Sequence, residues 1–298
     1  MVLYVKNITL ICLFVCSAGC AGSRYGAFEP AQATSSPPRY AMLYYPYGPA
    51  LERGLTKPVP DYSGWPEERM IRDMQRLKRA GVQVVITAVD FEKTADSYRQ
   101  DQYELFIELL GKHADWPRLA YWITSPGERL SGATRQQLTQ WLLVQTARYP
   151  EAHFKLEGRP LAVLAPDIKR WPFPHPAITF RMTERYHKQW VWTPPAASPV
   201  KLGPNREQCV VFGGWRARGN RSDREWILPR AKGHTLQRGL RKAVPLWTSL
   251  ICVDSWNDYR NGSFVEPNEL DGWKLYSTLQ EEIKFLRQTL LLRQKNGR

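Results

Sequence analysis

Eight short apolar runs recur after residue 40, helical stretches separate the outer ones, and no glycine-rich phosphate loop follows the first run. Together these predict an α/β fold: a (β/α)8 TIM-type barrel with shortened or missing helices in the middle of the chain. The missing loop counts against the rival, an open doubly wound sheet. The 298 residues leave room for a single barrel of about 250 residues.

The first run, Ala41 to Tyr47, ends in the aromatic cluster Tyr44-Tyr45-Pro46-Tyr47-Gly48. Pro66-Glu67-Glu68 then opens a helix, with proline suited to the first position and acids to the positive end of the dipole. Met70, Met74, Leu77 and Ala80 carry its apolar stripe and Gly81 closes it. Gln83 to Asp90 is the second strand, Arg118 to Thr124 the third and Leu161 to Asp167 the fourth, with helices over Gln102 to Lys112 and Thr134 to Ala147 between them. Ala177 to Thr183, Gln189 to Thr193, Gln208 to Gly213 and Ser249 to Ser255 complete the eight. Several are apolar almost throughout, as strands covered on both faces should be. Gly272 to Arg293 reads as the last helix, with Leu275, Leu279, Ile283 and Leu286 on one stripe.

The amino-terminal segment reads as an address. Lys6, the apolar run Ile8 to Val15 and the small residues Ser17-Ala18-Gly19 describe a secretory signal over residues 1–19, too short to span a bilayer. The small-small-Cys ending resembles a bacterial lipobox, which makes Cys20 the lipidated first residue of the mature chain. Ala21 in place of Asp favours the outer membrane. Residues 20–39, small, polar and proline-ended, form a tether, and residues 40–298 a single barrel domain expected to be monomeric. Cys209 and Cys252 remain for the folded domain. The geometry of adjacent parallel strands argues for two buried free thiols over a disulfide.

A net charge of +14 favours acidic partners. Arginines crowd residues 216–230, but no zinc-finger spacing, basic helix or RNA-binding signature accompanies them, so nucleic acid is the weaker choice. Five scattered histidines show no metal spacing, and no cofactor is expected. Twelve Trp and fourteen Tyr supply flat faces suited to the C–H faces of sugar rings.

In a barrel of this kind function gathers where strands end. Those ends carry Tyr44, Tyr45, Tyr47, Asp90, Phe91, Glu92, Trp122, Thr124, Asp167, Arg181, Trp192, Trp215 and Arg216, then Asp254, Trp256, Asn257 and Asp258. Aromatics and carboxylates on a rim suit a polysaccharide or oligosaccharide better than a phosphorylated metabolite.

Tyr44-Tyr45-Pro46-Tyr47-Gly48, the stretch Met74 to Ile86, Gly158-Arg159-Pro160-Leu161, Gly213-Gly214-Trp215 and the segment Ser255 to Pro267 occur in the order in which glycoside hydrolase families 71 and 99 carry similar pieces. The chain resembles that group of α-glucan and α-mannan hydrolases over roughly residues 40–290. The resemblance implies two acids three residues apart. Asp258 matches the first and Asn261 stands at the second, where family 99 has its general acid/base. It also implies that Glu266, before Pro267, braces the loop. Catalytic candidates are Asp258, Asp90 and Asp254, with Glu92 and Glu266 as further replacements for the missing acid. Asp254 has the alternative of pairing with Arg181. Candidate substrate contacts are Tyr45, Tyr47, Trp122, Trp215, Trp256, Asn257, Tyr259, Asn261 and Glu266. Two functions follow: an envelope lipoprotein hydrolysing α-linked polysaccharide, acidic ones included, or a non-catalytic glycan-binding lipoprotein in surface polysaccharide assembly or export.

Overall fold

The computed structural model describes residues 37–46, 56, 58–59, 66–90, 97–124, 132–165, 175–183, 189–192, 198–216, 226–246, 248–259 and 262–295. Strands β1 (Arg39–Tyr44), β2 (Val84–Asp90), β3 (Arg118–Thr124), β5 (Arg159–Leu164), β6 (Thr179–Met182), β8 (Gln208–Phe212) and β11 (Leu250–Asp254) pair in parallel. Two short antiparallel strands, β4 (Lys155–Leu156) and β7 (Val200–Leu202), flank them. The order is β4-β5-β3-β2-β1-β11-β8-β7, with β6 beside β5. β9 (Trp215–Arg216) and β10 (Trp226–Leu228) form a separate antiparallel pair. Helices α1 (Pro66–Arg79), α2 (Ser97–Lys112), α3 (Gly132–Arg148), α4 (His234–Ala243) and α5 (Lys274–Lys295) complete the chain.

Alternation along each strand divides the interior into two cores. Tyr40, Met42 and Tyr44 of β1 face outward, where Met70, Met74 and Leu77 of α1 and Leu279 and Ile283 of α5 cover them. Ala41 and Leu43 face inward, among Ile86, Ala88, Trp122, Val163, Phe212 and Cys252. An apolar residue at every position is what burial on both faces demands. Cys209 lies in the outer core and Cys252 in the inner one, so these free thiols point to opposite sides of adjacent strands.

The amino end of α1 carries Glu67 and Glu68, and its last turn Arg76, Lys78 and Arg79, in keeping with the dipole. It stops in a Schellman turn, with Val82 N–H on the Leu77 carbonyl and Gly81 N–H on that of Lys78. Gly81 takes φ +84°, and a Cβ there would sit 2.9 Å from Ile283 Cγ2. Glycine therefore lets α1 turn under α5 into β2.

The sheet curls on itself. Residues 189–192 follow β6 and touch it through the parallel bridge Thr183–Trp190. On a flat sheet β6 and β11 would lie five strands, roughly 24 Å, apart. Yet Trp192 Nε1 donates to Asp254 Oδ2 of β11 at 2.8 Å and the Trp192 ring lies 4.7 Å from that of Trp122. Between residues 189–192 and β8 a side chain does the work of a ladder. Gln208 Oε1 accepts from Val191 N–H at 3.3 Å, and Gln208 Nε2 donates to the Val191 carbonyl at 3.1 Å.

Among the described residues seven of the eight expected strands form, and the eighth, expected over 189–193, shows a single bridge at Trp190. The first ends at Tyr44 rather than Tyr47 because Tyr45's backbone is taken by a side chain of the last loop, as described below. Strands β4, β7, β9 and β10 and helix α4 add to the expected set.

Candidate active site

Trp256 N–H bonds the Leu43 carbonyl at 2.8 Å, carrying the pairing of β1 and β11 beyond the last ladder residue. Asn257 then inserts its amide where a strand residue would stand. Its Oδ1 accepts from Tyr45 N–H and its Nδ2 donates to the Tyr45 carbonyl, both at 2.9 Å. An amide has the donor and acceptor side by side that this requires. The loop after β11 is thereby locked to the chain's first strand.

Asp254 closes β11 and is 4 % exposed. Oδ2 accepts from the Trp192 indole, and Oδ1 from Ser263 Oγ at 2.8 Å. The peptide joining Asp254 to Ser255 is cis. Ser255 Oγ takes the backbone N–H of Asp258 at 2.9 Å and stands 3.4 Å from Ser263 Oγ. Asp258 is 7 % exposed, and its negative charge is felt at Asp254. Burial first, and Asp258 second, push the Asp254 carboxyl up to about 7, against the pull of its two hydrogen bonds.

The rest of the loop is a brace. Tyr259 donates to Glu266 Oε2 at 3.0 Å and stacks on Phe264 at 4.5 Å. The Arg230 guanidinium lies 3.9 Å from the centre of the Phe264 ring. It donates to the carbonyls of Gly262 and Phe264 and to Asp271, at 2.7–2.8 Å. One side chain therefore fixes three points of the loop.

The expected site residues separate into two groups. Asp254 and Asp258 stand four residues apart at the end of β11, near enough for the charge of Asp258 to bear on Asp254, and Tyr45, Trp122, Trp192 and Trp215 belong to the inner core. Trp256, expected to meet substrate, packs instead into the outer core with its ring edge-on to Tyr276 at 6.1 Å. The register set by Trp256 N–H and Leu43 turns it that way. Asn257, Tyr259 and Glu266 are fully buried, occupied by the loop contacts just given. The alternative pairing of Asp254 with Arg181 is not formed. Arg181 bonds Glu207 at 2.7 Å and Glu157 at 2.5 Å, while Asp254 takes neutral donors. Asp90 ends β2 in register with Thr124. Its side chain and that of Arg216, with Tyr47, Glu92, Asp167, Asn261 and residues 1–36, lie outside the described residues. Sequence reasoning missed Ser255 and Ser263 as partners of the acids and Trp192 as a donor to Asp254. Only proximity to the motif singled out the serines, and nothing local singled out a contact 62 residues away.

Among the described residues no cluster of His, Cys, Asp and Glu could hold a metal ion. His153 is buried between Tyr121 Oη and the Tyr149 carbonyl, and burial pushes it down to about 4.

The curled, largely parallel α/β sheet has the fold of the glycoside hydrolases of family 99. Two structures of the family 99 endo-α-mannosidase from Bacteroides thetaiotaomicron, one in complex with bis-tris-propane, superpose with TM-scores of 0.63 and 0.62 at 14% identity, covering 84% of this chain and 98% of theirs. A structure described as a glycoside hydrolase-like protein superposes with a TM-score of 0.58 at 11% identity, over 88% of this chain and 97% of that one. At these identities the likeness is one of fold. No family model matches the sequence, and no curated protein matches it.

Proposed function

We propose that the chain is a (β/α)8 glycoside hydrolase of the bacterial cell envelope, lipidated at Cys20, that cleaves α-linked polysaccharide at the carboxyl end of its strands. The observation that carries this reading is the Asp254–Asp258 pair, with one carboxyl raised to about 7 beside the other. Glycoside hydrolysis needs one carboxyl that gives a proton to the leaving oxygen and a second that acts as base or nucleophile. Burial and a neighbouring charge separate two like groups into those roles. In this assignment Asp258 is the base or nucleophile and Asp254 the proton holder, held in place by Trp192 and Ser263. The curl that brings Trp192 onto Asp254 supports a closed barrel, and the Gln208 amide supplies its seam.

The test is turnover of α-linked polysaccharides from a bacterial surface by the wild type and by Asp258→Asn. A loss of at least about 10²-fold is expected for a group in proton transfer or charge stabilisation. Unchanged turnover in the variant removes the assignment. Saturable glycan binding by the wild type with no release of reducing ends would instead establish the second reading, a glycan-binding lipoprotein in polysaccharide assembly or export. Asn261, standing where the resemblance expects the acid, favours that reading.

A further inference from the structure

The amino ends of the parallel strands share one edge of the sheet, and Asp254 lies at the other. At the amino edge the starts of β1, β2, β3 and β4 surround a cavity of about 350 Å³. Arg39, Arg118 and Lys155 line it, against one carboxylate, Glu151. Arg39 lies over the Phe154 ring at 5.3 Å, and Arg118 donates to the carbonyls of Glu151 and Ala114. Neither contact cancels a guanidinium charge. His153, also in the lining, is uncharged at neutral pH.

The same edge is basic more widely. Helices α1 to α4 return to it with Lys78, Arg79, Lys112, Arg148, Arg241 and Lys242 in their last turns. Asp115 holds Lys78, Glu108 holds Lys112 and Glu282 holds Arg241. Among the described residues Arg39, Arg79, Arg118, Arg148, Lys155 and Lys242 form no ion pair. Basic last turns suit the helix dipole, but Arg39, Arg118 and Lys155 belong to strands, where no dipole calls for them. Helix α5 continues past this edge. Arg287 Nη2 donates to the Gly81 carbonyl at 2.7 Å, where α1 turns into β2. From there α5 runs on to Lys295, about 12 Å further. That extension carries Leu291 and Leu292, 51 % and 61 % exposed. Residues 1–36 join the described chain at this edge too, two residues before Arg39.

We propose that the amino edge of the sheet rests on an anionic phospholipid surface, with a lipid phosphate between Arg39, Arg118 and Lys155 and with Leu291 and Leu292 set into the apolar layer beneath the headgroups. Guanidinium and ammonium groups around a cavity match a phosphate. Two bare leucines on a helix end beyond them match the layer under it. A soluble acidic ligand accounts for the cations and leaves the leucines in water. In this orientation Asp254 and the carboxyl ends of the strands face away from the bilayer, toward extended polymer.

The full chain is cosedimented with vesicles of phosphatidylcholine alone and with vesicles of phosphatidylcholine and phosphatidylglycerol in equal parts. The ratio of the two partition coefficients is the readout. The apolar run Ile8 to Val15, and any acyl chain on Cys20, add to both and cancel in the ratio. The wild type is expected to favour the anionic vesicles by at least about 10²-fold at low salt, and less as salt rises. Arg39→Gln with Lys155→Gln, both at exposed positions, should lower the ratio about 30-fold, since each basic side chain at such a surface contributes about fivefold. Lys232→Gln with Lys274→Gln removes the same charge from exposed positions at the amino ends of α4 and α5, on the opposite edge, and should leave the ratio unchanged. Leu291→Gln with Leu292→Gln should weaken binding to both kinds of vesicle about tenfold. Absence of a preference for anionic vesicles, equal losses from the two pairs of charge changes, or indifference to the leucine change would each overturn the proposal. Binding of inorganic phosphate without a preference for anionic vesicles would overturn it as well, by making the cavity a site for a soluble anion.

Discussion

Trp190 and Trp192 sit two residues apart, and each gives its indole N–H to a carboxylate: Trp190 to Glu207 at 2.6 Å, Trp192 to Asp254 at 2.8 Å. The two acids titrate in opposite directions. Glu207 also receives Arg181, whose hydrogen bonds and charge hold its carboxyl below the usual range despite burial. Among the described residues Asp254 receives only neutral donors, so burial and the charge of Asp258 raise it to about 7. Burial alone would push both up. The company each keeps decides whether the buried acid is a fixed charge that ties strands together or a proton store that can do chemistry.

The sharpest way to break this contrast is Asp254→Asn. The amide keeps the shape and accepts from one of the two donors but cannot hold a transferable proton, so turnover should fall about 10²–10⁴-fold, read as kcat on the polysaccharide. An intact kcat would make Asp254 no more than another Glu207. Next in size, Arg181→Met should cost about 3–5 kcal/mol in denaturant unfolding, because it strands the Glu207 charge in a dry site. A loss under about 1 kcal/mol would mean that water reaches Glu207 and that the pair behaves as a surface one. Gln208→Leu, which leaves both Val191 backbone groups unpaired at the seam, should cost about 1–3 kcal/mol.

The subtlest difference is in pH dependence. Asp254 has its folded pKa raised from 3.8 to about 7, so its contribution to stability is full below pH 4 and lost as pH climbs to 7. Glu207, lowered from 4.5, contributes above its unfolded value and loses that contribution as pH falls through its folded one. Asp73, raised to about 6 beneath Tyr44, moves with Asp254. Subtracting the Asp254→Asn stability profile from that of the wild type isolates the Asp254 term. A flat difference between pH 4 and 7 would place that carboxyl in solvent.

The parallel strands were legible because strands buried on both faces must be apolar at nearly every position. Short elements were not. Val200-Lys201-Leu202 is too brief to show a period, and it pairs because β8 offers it an edge. Helix α4 did carry a signal in Leu236, Leu240 and Ala243, hidden in a basic, glycine-bearing stretch. In the site, Asp258 stood out through its motif and Asp254 through its strand end. The direction in which Trp256 points depends on one hydrogen bond to Leu43, across 213 residues, and no local pattern contains it. Likewise, whether Arg181 would serve Asp254 or Glu207 depends on how residues 189–192 cross the seam.

The clamp of Asn257 on Tyr45 joins residues 212 apart, and β1 has β11 as one of its two neighbours. During synthesis β1 emerges long before β11. Until then β1 presents an unpaired apolar edge, the kind of surface that invites aggregation. The same delay withholds the paired acids, since Asp254 meets Trp192 only when the sheet has come round. Closing so long a loop is also slow. The order of assembly is therefore written into the topology: the molecule acquires its chemistry in the same event that hides its stickiest strand.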